Sequence, residues 1–389
     1  MANMHKAKVF VGMSPKEHQN VPTGQAVGSG KKVFVGMSGG VDSSVSAALL
    51  KDEGYDVTGV FIKVWQADFL PCSWREERRD AMRAAAHLSI PFITLDLEEA
   101  YKSEVVDYMI REYKEGRVPN PDVMCNKYVK FGAFFEYAKA HGADFIATGH
   151  YARTLPGEDG SRLFMGVDKE KDQSYFLWTI GSGVLAHTLF PVGDLEKKEV
   201  RALAATYGLP NADKKDSQGL CFMGKIEMSE FLKHYLKTEK GDVLAEGGKV
   251  IGTHEGAMLY TIGQRKGFET IKSSEHEEPY FVVAKNISQN TITVAHREPT
   301  SASDNGLTLE VSDLHLIRPK RKEGEAAALS VRIRYRGELI AAKLERELTE
   351  GGKSRVHLAH SAEGIAPGQS AVFYIGEELI AGGVIELAQ

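Results

Sequence analysis

The chain has 389 residues, of which 42% are hydrophobic and 26% charged, with a formal net charge of −5. Its length allows two or three domains of ordinary globular composition. No apolar run reaches the roughly 20 residues of a membrane-spanning helix, and residues 1–30 lack the apolar core of a secretory signal. We therefore expect a cytoplasmic protein with no membrane partner, in which nucleic-acid binding would need local basic patches.

The first 30 residues contain a partial duplication. Lys8–Ser14 reads K-V-F-V-G-M-S and repeats Lys32–Ser38 letter for letter. The first copy continues with Pro15 instead of glycines, and proline is incompatible with the backbone geometry that a phosphate-binding turn needs. We predict that residues 1–30 form a disordered or poorly packed tail that carries a non-functional copy.

The second copy leads from an apolar strand into the turn S-G-G-V-D-S (Ser38–Ser43) and then into a helical pattern that ends near Gly54. Glycine lets the backbone take positive φ and approach an anion, while free N–H groups at a helix N-terminus point at it. The stretch therefore predicts a phosphate-binding turn, in which Ser38 and Ser43 add hydroxyl groups and Asp42 caps the helix or approaches a metal. It lacks the lysine of the Walker A motif. An ordinary glycine turn is the alternative.

Strands and helices alternate over the next hundred residues. Strands are predicted over Asp56–Lys63, Pro91–Leu95 and Asp144–Thr148, and helices over Arg75–Leu88, Glu98–Tyr113 and Lys130–His141. This alternation predicts a parallel, doubly wound α/β sheet of the Rossmann type, with ligands at the carboxyl ends of the strands. The Ser38 turn, Ile62 and Gly149 then share one rim. Gly149 would leave room for an adenine or ribose, unless it only turns the chain.

The pattern changes near residue 211. Residues 211–285 combine a polar helical stretch with glycine-rich, strand-like runs, and residues 286–389 show short strands between Gly, Asn, Asp and Ser turns. Such strands favour a small β-barrel. We predict a catalytic domain over 31–210, a small central domain over 211–285 and a C-terminal β-barrel over 286–389.

A second unusual stretch, R-V-P-N-P-D-V-M-C-N, runs from Arg117 to Asn126. Its two prolines predict a rigid loop before a helix that starts at Lys127. Cys125 would then lie near the helix N-terminus, where the helix dipole lowers the pKa of its thiol. A carboxylate and a thiol presented together, Asp122 and Cys125, suit an acid/base and a nucleophile. The alternative is a simple turn in which the cysteine fills a gap.

The other two cysteines differ in setting, and three cysteines are too few for a disulfide scaffold. Cys221 lies in the polar, glycine-bearing stretch D-S-Q-G-L-C-F, which favours an accessible, reactive thiol, although a structural role stays open. Cys72 has no activating base or helix end nearby, so we interpret it as structural or incidental.

Several stretches favour RNA contact. Basic residues stand beside an aromatic in Tyr260–Gly267 and Arg332–Arg336, basic residues cluster in Arg318–Lys322, and Lys171-Asp172-Gln173 opens a helix-like run. Such residues suit RNA phosphates and a splayed base. Each stretch would equally suit a solvated surface or, at Asp172, a helix cap.

The motifs, taken in order, closely resemble the bacterial tRNA-specific 2-thiouridylases, a family of PP-loop ATPases. The resemblance runs from about Lys31 to the C-terminus, and the family's PP-loop domain, central domain and C-terminal β-barrel agree with the divisions above. Two departures are the tail and Phe268-Glu269, where the family often has a second glycine after Gly267. The motifs are G-M-S-G-G-V-D-S-S, R-V-P-N-P-D-V-M-C-N, A-T-G-H-Y-A-R, K-D-Q-S-Y-F-L, D-S-Q-G-L-C-F, Y-T-I-G-Q-R-K-G and P-G-Q-S-A-V-F-Y.

This resemblance implies an enzyme that inserts sulfur at C2 of the wobble uridine of tRNAs for Lys, Glu and Gln. ATP with Mg²⁺ would adenylate the base, a cysteine persulfide would attack C2, and AMP and pyrophosphate would be released. The implied sulfur donor is a cysteine desulfurase or a sulfur-relay protein.

The resemblance also implies site residues, with Cys221 as persulfide carrier, Cys125 as its partner nucleophile and Asp122 as general acid/base. The two cysteines would form a disulfide during turnover. No dedicated metal ligands are implied. The implied ATP site comprises Gly36, Met37, Ser38, Gly39, Gly40, Val41, Asp42, Ser43, Ile62 and Gly149. The implied target-base contacts are Asn120, Pro121 and Asp122, and the implied tRNA contacts are His150, Lys171, Asp172, Gln173, Arg334, Tyr335 and Gln369.

Two other functions fit parts of the pattern. A PP-loop synthetase that adenylates a small molecule would not need Cys125 or Cys221. A nucleotide-gated RNA-binding module without catalysis would not need Asp122.

Overall fold

The computed structural model describes most of the chain from residue 28 onward. Most of the predicted tail lies outside the described residues, and so do Cys72 and Cys221. The described residues are 28, 30–70, 74–157, 160–216, 226–271, 278–296, 307–318, 329–360, 362 and 365–388.

The first domain is built on a parallel five-stranded sheet, which confirms the predicted Rossmann-like fold. Its central strand, Lys32–Gly36, buries Val33 and Val35 completely, as expected of a strand covered on both faces. The strand order is Phe92–Asp96, Asp56–Lys63, Lys32–Gly36, Phe145–Ala147, Thr188–Leu189. The accompanying helical segments are Val41–Asp52, Trp74–His87, Glu98–Tyr101, Lys102–Val106, Asp107–Lys114, Pro121–Met124, Cys125–Ala133, Phe134–Ala140, Ser174–Phe176, Ser182–Leu185 and Lys197–Thr206.

The helix that carries Cys125 starts earlier than predicted. It begins at Pro121, and Asn120 at its N-cap accepts a hydrogen bond from the Val123 N–H at 3.4 Å. Proline is favourable at the first helical position, because that N–H needs no partner there. The predicted loop through Asn126 was therefore wrong, and Cys125 lies one turn inside the helix.

The central domain contains a five-stranded sheet and the helix Met228–Lys233. Its strand Thr291–Ala295 runs parallel to Gly241–Ala245, although the sequence grouped it with the barrel. Short alternating strands look alike in both domains, and only distant pairing separates them. The strand order is Phe268–Thr270, Val250–His254, Gly241–Ala245, Thr291–Ala295, Phe281–Asn286, and the short helix Ala257–Leu259 lies between two of these strands in the chain.

Six antiparallel strands close into the C-terminal barrel, which confirms the predicted β-barrel. The hairpin Ala152–Gly157 and Gly160–Met165 of the first domain extends this sheet, because Leu163 pairs with Leu379. The catalytic domain and the barrel therefore share backbone hydrogen bonds. The barrel strands are, in order, Thr308–Leu316, Ser354–Leu358, Ile340–Leu344, Leu329–Arg332, Ser370–Ile375 and Glu378–Ala388, and the last pairs with the first.

A buried ion pair also joins these two domains. The Asp172 carboxylate accepts a 2.6 Å hydrogen bond from the Arg332 guanidinium, and their side chains are 1% and 10% exposed. Asp172 also accepts hydrogen bonds from the N–H groups of Gly166 and Ser174 and from the Ser174 hydroxyl. A carboxylate so deeply buried is tolerated only because each of these donors is in place.

We expect Arg332→Met to lower the free energy of unfolding by about 3 kcal/mol or more, because it leaves the Asp172 carboxylate buried without its cation. Urea-induced unfolding measures the change. The matched control is Arg355→Met, which removes an exposed barrel pair with Glu310 and should cost about 1 kcal/mol or less. Equal losses from the two variants would contradict this prediction.

Candidate functional site

The glycine turn between Lys32–Gly36 and Val41–Asp52 has the geometry that phosphate binding requires. Gly39 has φ +79°, and a Cβ there would lie 2.3 Å from the Glu77 carbonyl oxygen. Gly40 stands at the N-cap of the helix, so the first N–H groups of the helix open toward the turn. Only glycine fits at position 39, and the turn leaves a helix N-terminus of the kind that suits an anion.

Side-chain hydrogen bonds fix this turn. The Ser38 N–H donates to the Ser43 hydroxyl oxygen at 3.3 Å, and the Ser44 hydroxyl donates to the Gly40 carbonyl at 3.0 Å. Buried Asn211 donates from its side-chain amide to the carbonyls of Gly39 and Gly40, at 3.0 and 3.1 Å. Asn211 is not among the residues predicted from the sequence, because no local pattern connects it to a turn so far away in the chain.

Asp42 does not cap the helix, as one sequence interpretation had it, but joins a network of charges beside the turn. Its carboxylate accepts hydrogen bonds from the Lys197 ammonium at 2.6 and 2.8 Å and from the Tyr151 hydroxyl at 2.9 Å. Lys197 also pairs with Asp216 at 2.9 Å, which Lys171 contacts at 2.8 Å. Burial alone would raise the pKa of Asp216, but these two lysines hold it well below its usual range.

Asp216 is the last described residue before Cys221 in the chain. Through Lys197, the described end of that segment is fixed beside Asp42 in the glycine turn. Lys197 was not a sequence candidate, because lysines are frequent on helices and its neighbours give no motif.

The next rim element, Gly149-His150, packs directly on the start of the same helix. A Cβ on Gly149 would lie 2.7 Å from the Ser43 nitrogen and 2.9 Å from the Asp42 carbonyl carbon. His150 is buried, with Nδ1 2.7 Å from the Thr148 hydroxyl and Nε2 3.5 Å from the Lys130 ammonium. Burial, helped by the Lys130 charge, lowers the pKa of His150 well below its usual range, so the ring is neutral at pH 7.

Lys130 connects this rim to the helix of Asp122 and Cys125. Burial raises the pKa of the Asp122 carboxyl, and the positive charge of Lys130 opposes that shift. Cys125 is buried in the same helix. A carboxyl whose pKa is raised by burial holds its proton more readily than an exposed one, which suits general acid/base chemistry.

Asn126, the residue after Cys125, connects this helix to the barrel through Phe176. Its side-chain amide donates to the Phe176 carbonyl at 2.9 Å, and the Phe176 ring lies 4.6 Å from the Tyr335 ring of the barrel. Arg334, next to Tyr335, is exposed. An exposed arginine beside an aromatic pair is a suitable surface for a nucleic-acid strand.

Five of the seven residues implied as tRNA contacts are bonded within the protein, and two of them, His150 and Lys171, were described above. Asp172 is buried against Arg332, and Gln173 exchanges hydrogen bonds with the backbone of Tyr151. Gln369 donates to the Val118 carbonyl at 2.8 Å. In this structure these side chains stabilise the site through internal hydrogen bonds, and their contact with tRNA stays a prediction.

Ile62, at the end of its strand, is half-buried against Leu95 of the neighbouring strand.

Three family models match consecutive parts of the chain. They are described as tRNA methyl transferase HUP domain (residues 31–225), tRNA methyl transferase PRC-barrel domain (229–296) and Aminomethyltransferase beta-barrel domain (307–385). The curated relatives are named differently. The tRNA-specific 2-thiouridylase MnmA of Enterococcus faecalis is 42% identical over 365 residues, which are 92% of this chain and 96% of that protein.

The chain belongs to the MnmA family of tRNA-specific 2-thiouridylases. The MnmA of Tolumonas auensis is 44% identical over 91% of this chain and 96% of its own. Among solved structures, a 4-thiouridine synthetase–RNA complex with bound ATP matches 53% of this chain and 50% of its own, with 20% identity and a TM-score of 0.35. That likeness is too partial to support an argument.

Within the residues described, no group of three or more His, Cys, Asp or Glu side chains could hold a metal ion. The described helices also include none that is long and apolar enough to cross a membrane. Because Cys221 lies outside the described residues, its pairing with Cys125 stays a prediction.

We expect Gly149→Ala to lower the free energy of unfolding by about 1–3 kcal/mol, because the new methyl group would overlap the backbone at Asp42 and Ser43. Denaturant unfolding measures the loss. The matched control in this MnmA-family chain is Gly183→Ala, where a Cβ meets nothing within 4 Å. A Gly149→Ala protein as stable as the control would show that the helix N-terminus tolerates displacement.

Proposed function

We propose that the chain is a tRNA uridine 2-sulfurtransferase that converts the wobble uridine to 2-thiouridine. The observation that carries the proposal is the 42–44% identity to MnmA proteins over more than nine-tenths of the chain. The descriptions of the first two matching family models name a tRNA methyl transferase. The full-length relatives, however, are named 2-thiouridylases. The glycine turn at a helix N-terminus is also suited to the phosphates of a nucleotide.

ATP is the proposed co-substrate, with its phosphates against the turn Gly36–Ser43. The N–H groups of the turn and the Lys197 ammonium would stabilise charge that builds on the phosphates during transfer. The carboxylates of Asp42 and Asp216 and the hydroxyls of Ser38 and Ser43 are hard oxygen ligands, so they fit a Mg²⁺ ion that accompanies ATP. When bound, such an ion would supply further charge neutralisation.

The first chemical step would be adenylation of the base. Asp122, as general base, would take the N3 proton of the uracil, which makes its C2 oxygen a better nucleophile toward the α-phosphorus of ATP. The new bond joins that oxygen to phosphorus, and the bond to the β-phosphate breaks with release of pyrophosphate. Asn120 and Pro121, at the start of the same helix, would position the base, which must leave the anticodon stack.

The second step would transfer sulfur. The outer sulfur of a Cys221 persulfide would attack C2, and the C2–O bond would break with release of AMP. The Cys125 thiolate would then attack the Cys221 Sγ, leaving the sulfur on the base and a Cys125–Cys221 disulfide that an external thiol reduces. A cysteine desulfurase or sulfur-relay protein would recharge Cys221, and tRNAs for Lys, Glu and Gln are the proposed acceptors.

A thiolation assay with ATP, Mg²⁺, a desulfurase with cysteine, and unmodified tRNA-Glu tests the proposal. We expect a 2-thiouridine band on a mercury gel from the wild type, and its loss in Cys221→Ser and Cys125→Ser, because both thiols are consumed in each cycle. Cys72→Ser is the matched control and should retain activity. Pyrophosphate release without thiolation in any variant would instead favour a small-molecule adenylating enzyme. RNA binding that survives Asp122→Ala, with no chemistry, would favour a non-catalytic binding module.

The raised pKa of Asp122 predicts a specific pH dependence. Asp122 must be ionised to act as the general base, so the single-turnover rate of thiolation should fall as the pH is lowered. The midpoint of this fall should lie above about 3.9, the ordinary pKa of aspartate, because burial raises the pKa of Asp122. Lys130→Met removes the cation that opposes the shift, so this acidic limb should move to higher pH. Lys127→Met, an exposed lysine on the same helix, is the control and should leave the limb unmoved. An unmoved limb in Lys130→Met would contradict the assignment of this limb to Asp122.

A further inference from the structure

The segment that leads into the Asp122 helix is bonded to the barrel across the domain boundary. Both backbone polar groups of Val118 form hydrogen bonds with the barrel. The Val118 N–H donates to the Pro367 carbonyl at 2.8 Å, and the Val118 carbonyl accepts from the Gln369 side chain at 2.8 Å. Gly368, between these two residues, has φ +95°, and a Cβ there would lie 3.0 Å from the Val118 nitrogen and oxygen.

Arg117 adds a forked ion pair beside this contact. Its Nε donates to Glu112 in the preceding helix at 2.7 Å. Its two terminal nitrogens donate to Glu386 in the last barrel strand at 2.6 and 3.3 Å. Arg117 is 22% exposed, so water screens this pair less than a surface pair. A guanidinium presents its donors in a rigid planar fork, whereas an ammonium is a point charge on a flexible stem.

We propose that the barrel sets the geometry of the target-base loop, with Arg117, Glu386 and Gln369 as positioning residues for the chemistry at Asp122. Only two residues separate Val118 from the helix start at Pro121, and the rings of Pro119 and Pro121 fix φ at both positions. A displacement of Val118 therefore moves the first helical turn, which carries Asp122. The proposal deepens and rests on the proposed function.

The proposal gives Gln369 a role that differs from a tRNA contact. Its side-chain amide donates to the Val118 carbonyl at 2.8 Å and to the Pro119 carbonyl at 3.5 Å. A positioning residue affects the rate of the chemical step, because misplacement of a reacting group by about 1 Å can cost about a hundredfold in rate. A residue that contacts tRNA affects tRNA affinity instead.

Four variants of the full chain test the proposal: Arg117→Met, Glu386→Gln, their double variant, and Gln369→Ala. We expect kcat for thiolation to fall about tenfold or more, with the Kd for ATP and for tRNA within about twofold of wild type. The double variant should be no worse than Arg117→Met alone, because the two side chains form one interaction. Glu310→Gln, which breaks the exposed pair with Arg355 on the same barrel, is the matched control.

Hydrogen exchange read by mass spectrometry on residues 117–124 gives a second readout that does not need activity. The Val118 amide should exchange faster in Glu386→Gln and Gln369→Ala than in the wild type and in Glu310→Gln. If Arg117→Met does not fold, Arg117→Lys, which keeps the charge but loses the fork, takes its place. A wild type that makes no 2-thiouridine would contradict the proposed function, while the exchange result would still decide whether the barrel holds this loop.

Three results would overturn the proposal. One is wild-type kcat in both Arg117→Met and Glu386→Gln. Another is a raised Kd for tRNA with unchanged kcat in Gln369→Ala, which would make that residue a tRNA contact. The third is unchanged exchange of residues 117–124 in every variant.

Discussion

The burial of one carboxylate constrains much of this structure. Asp172 is almost fully buried, and four hydrogen-bond donors converge on its carboxylate, one of which is Arg332 in a barrel strand. The Lys171–Gln173 segment must therefore lie in this position for the barrel and the catalytic domain to fit together. In that position the Gln173 N–H donates to the Tyr151 carbonyl and the Gln173 side-chain oxygen accepts from the Tyr151 N–H. The Tyr151 hydroxyl in turn contacts Asp42 in the glycine turn. One buried side chain thus links the barrel to the glycine turn.

The local parts of the fold were readable from the sequence. The strand, glycine turn and helix around Ser38–Ser43 follow sequence patterns a few residues long, and the alternation of strands and helices implies a parallel sheet. Prediction from the sequence failed where one local pattern is compatible with two structures. Proline can close a loop or open a helix, and at Pro121 it opens a helix. The strand Thr291–Ala295 carries no local sign that its partner is Gly241–Ala245.

The supporting residues of the site were not readable in this way. Lys197 meets Asp42 across 155 positions, and Asn211 reaches Gly40 across 171. A lone lysine or asparagine carries no signal of such a partner, because its role exists only after the chain has folded. The motif residues were found through family resemblance, which reports their identity but not their environment. That limit explains why Asp172 and Gln369, expected at an RNA surface, lie bonded inside the protein here.

The hairpin Ala152–Gly157 and Gly160–Met165 has a consequence for how this chain can be divided. Its second strand continues the barrel sheet through Leu163 and Phe164, and Leu163 is completely buried. A truncated chain without the barrel would present this strand as an open sheet edge with an apolar face, the feature that promotes strand-to-strand aggregation. The barrel thus acts as a cover for the catalytic domain. Exchange of barrels between relatives would preserve solubility only where the new last strand reproduces the register at Glu378 and Leu379.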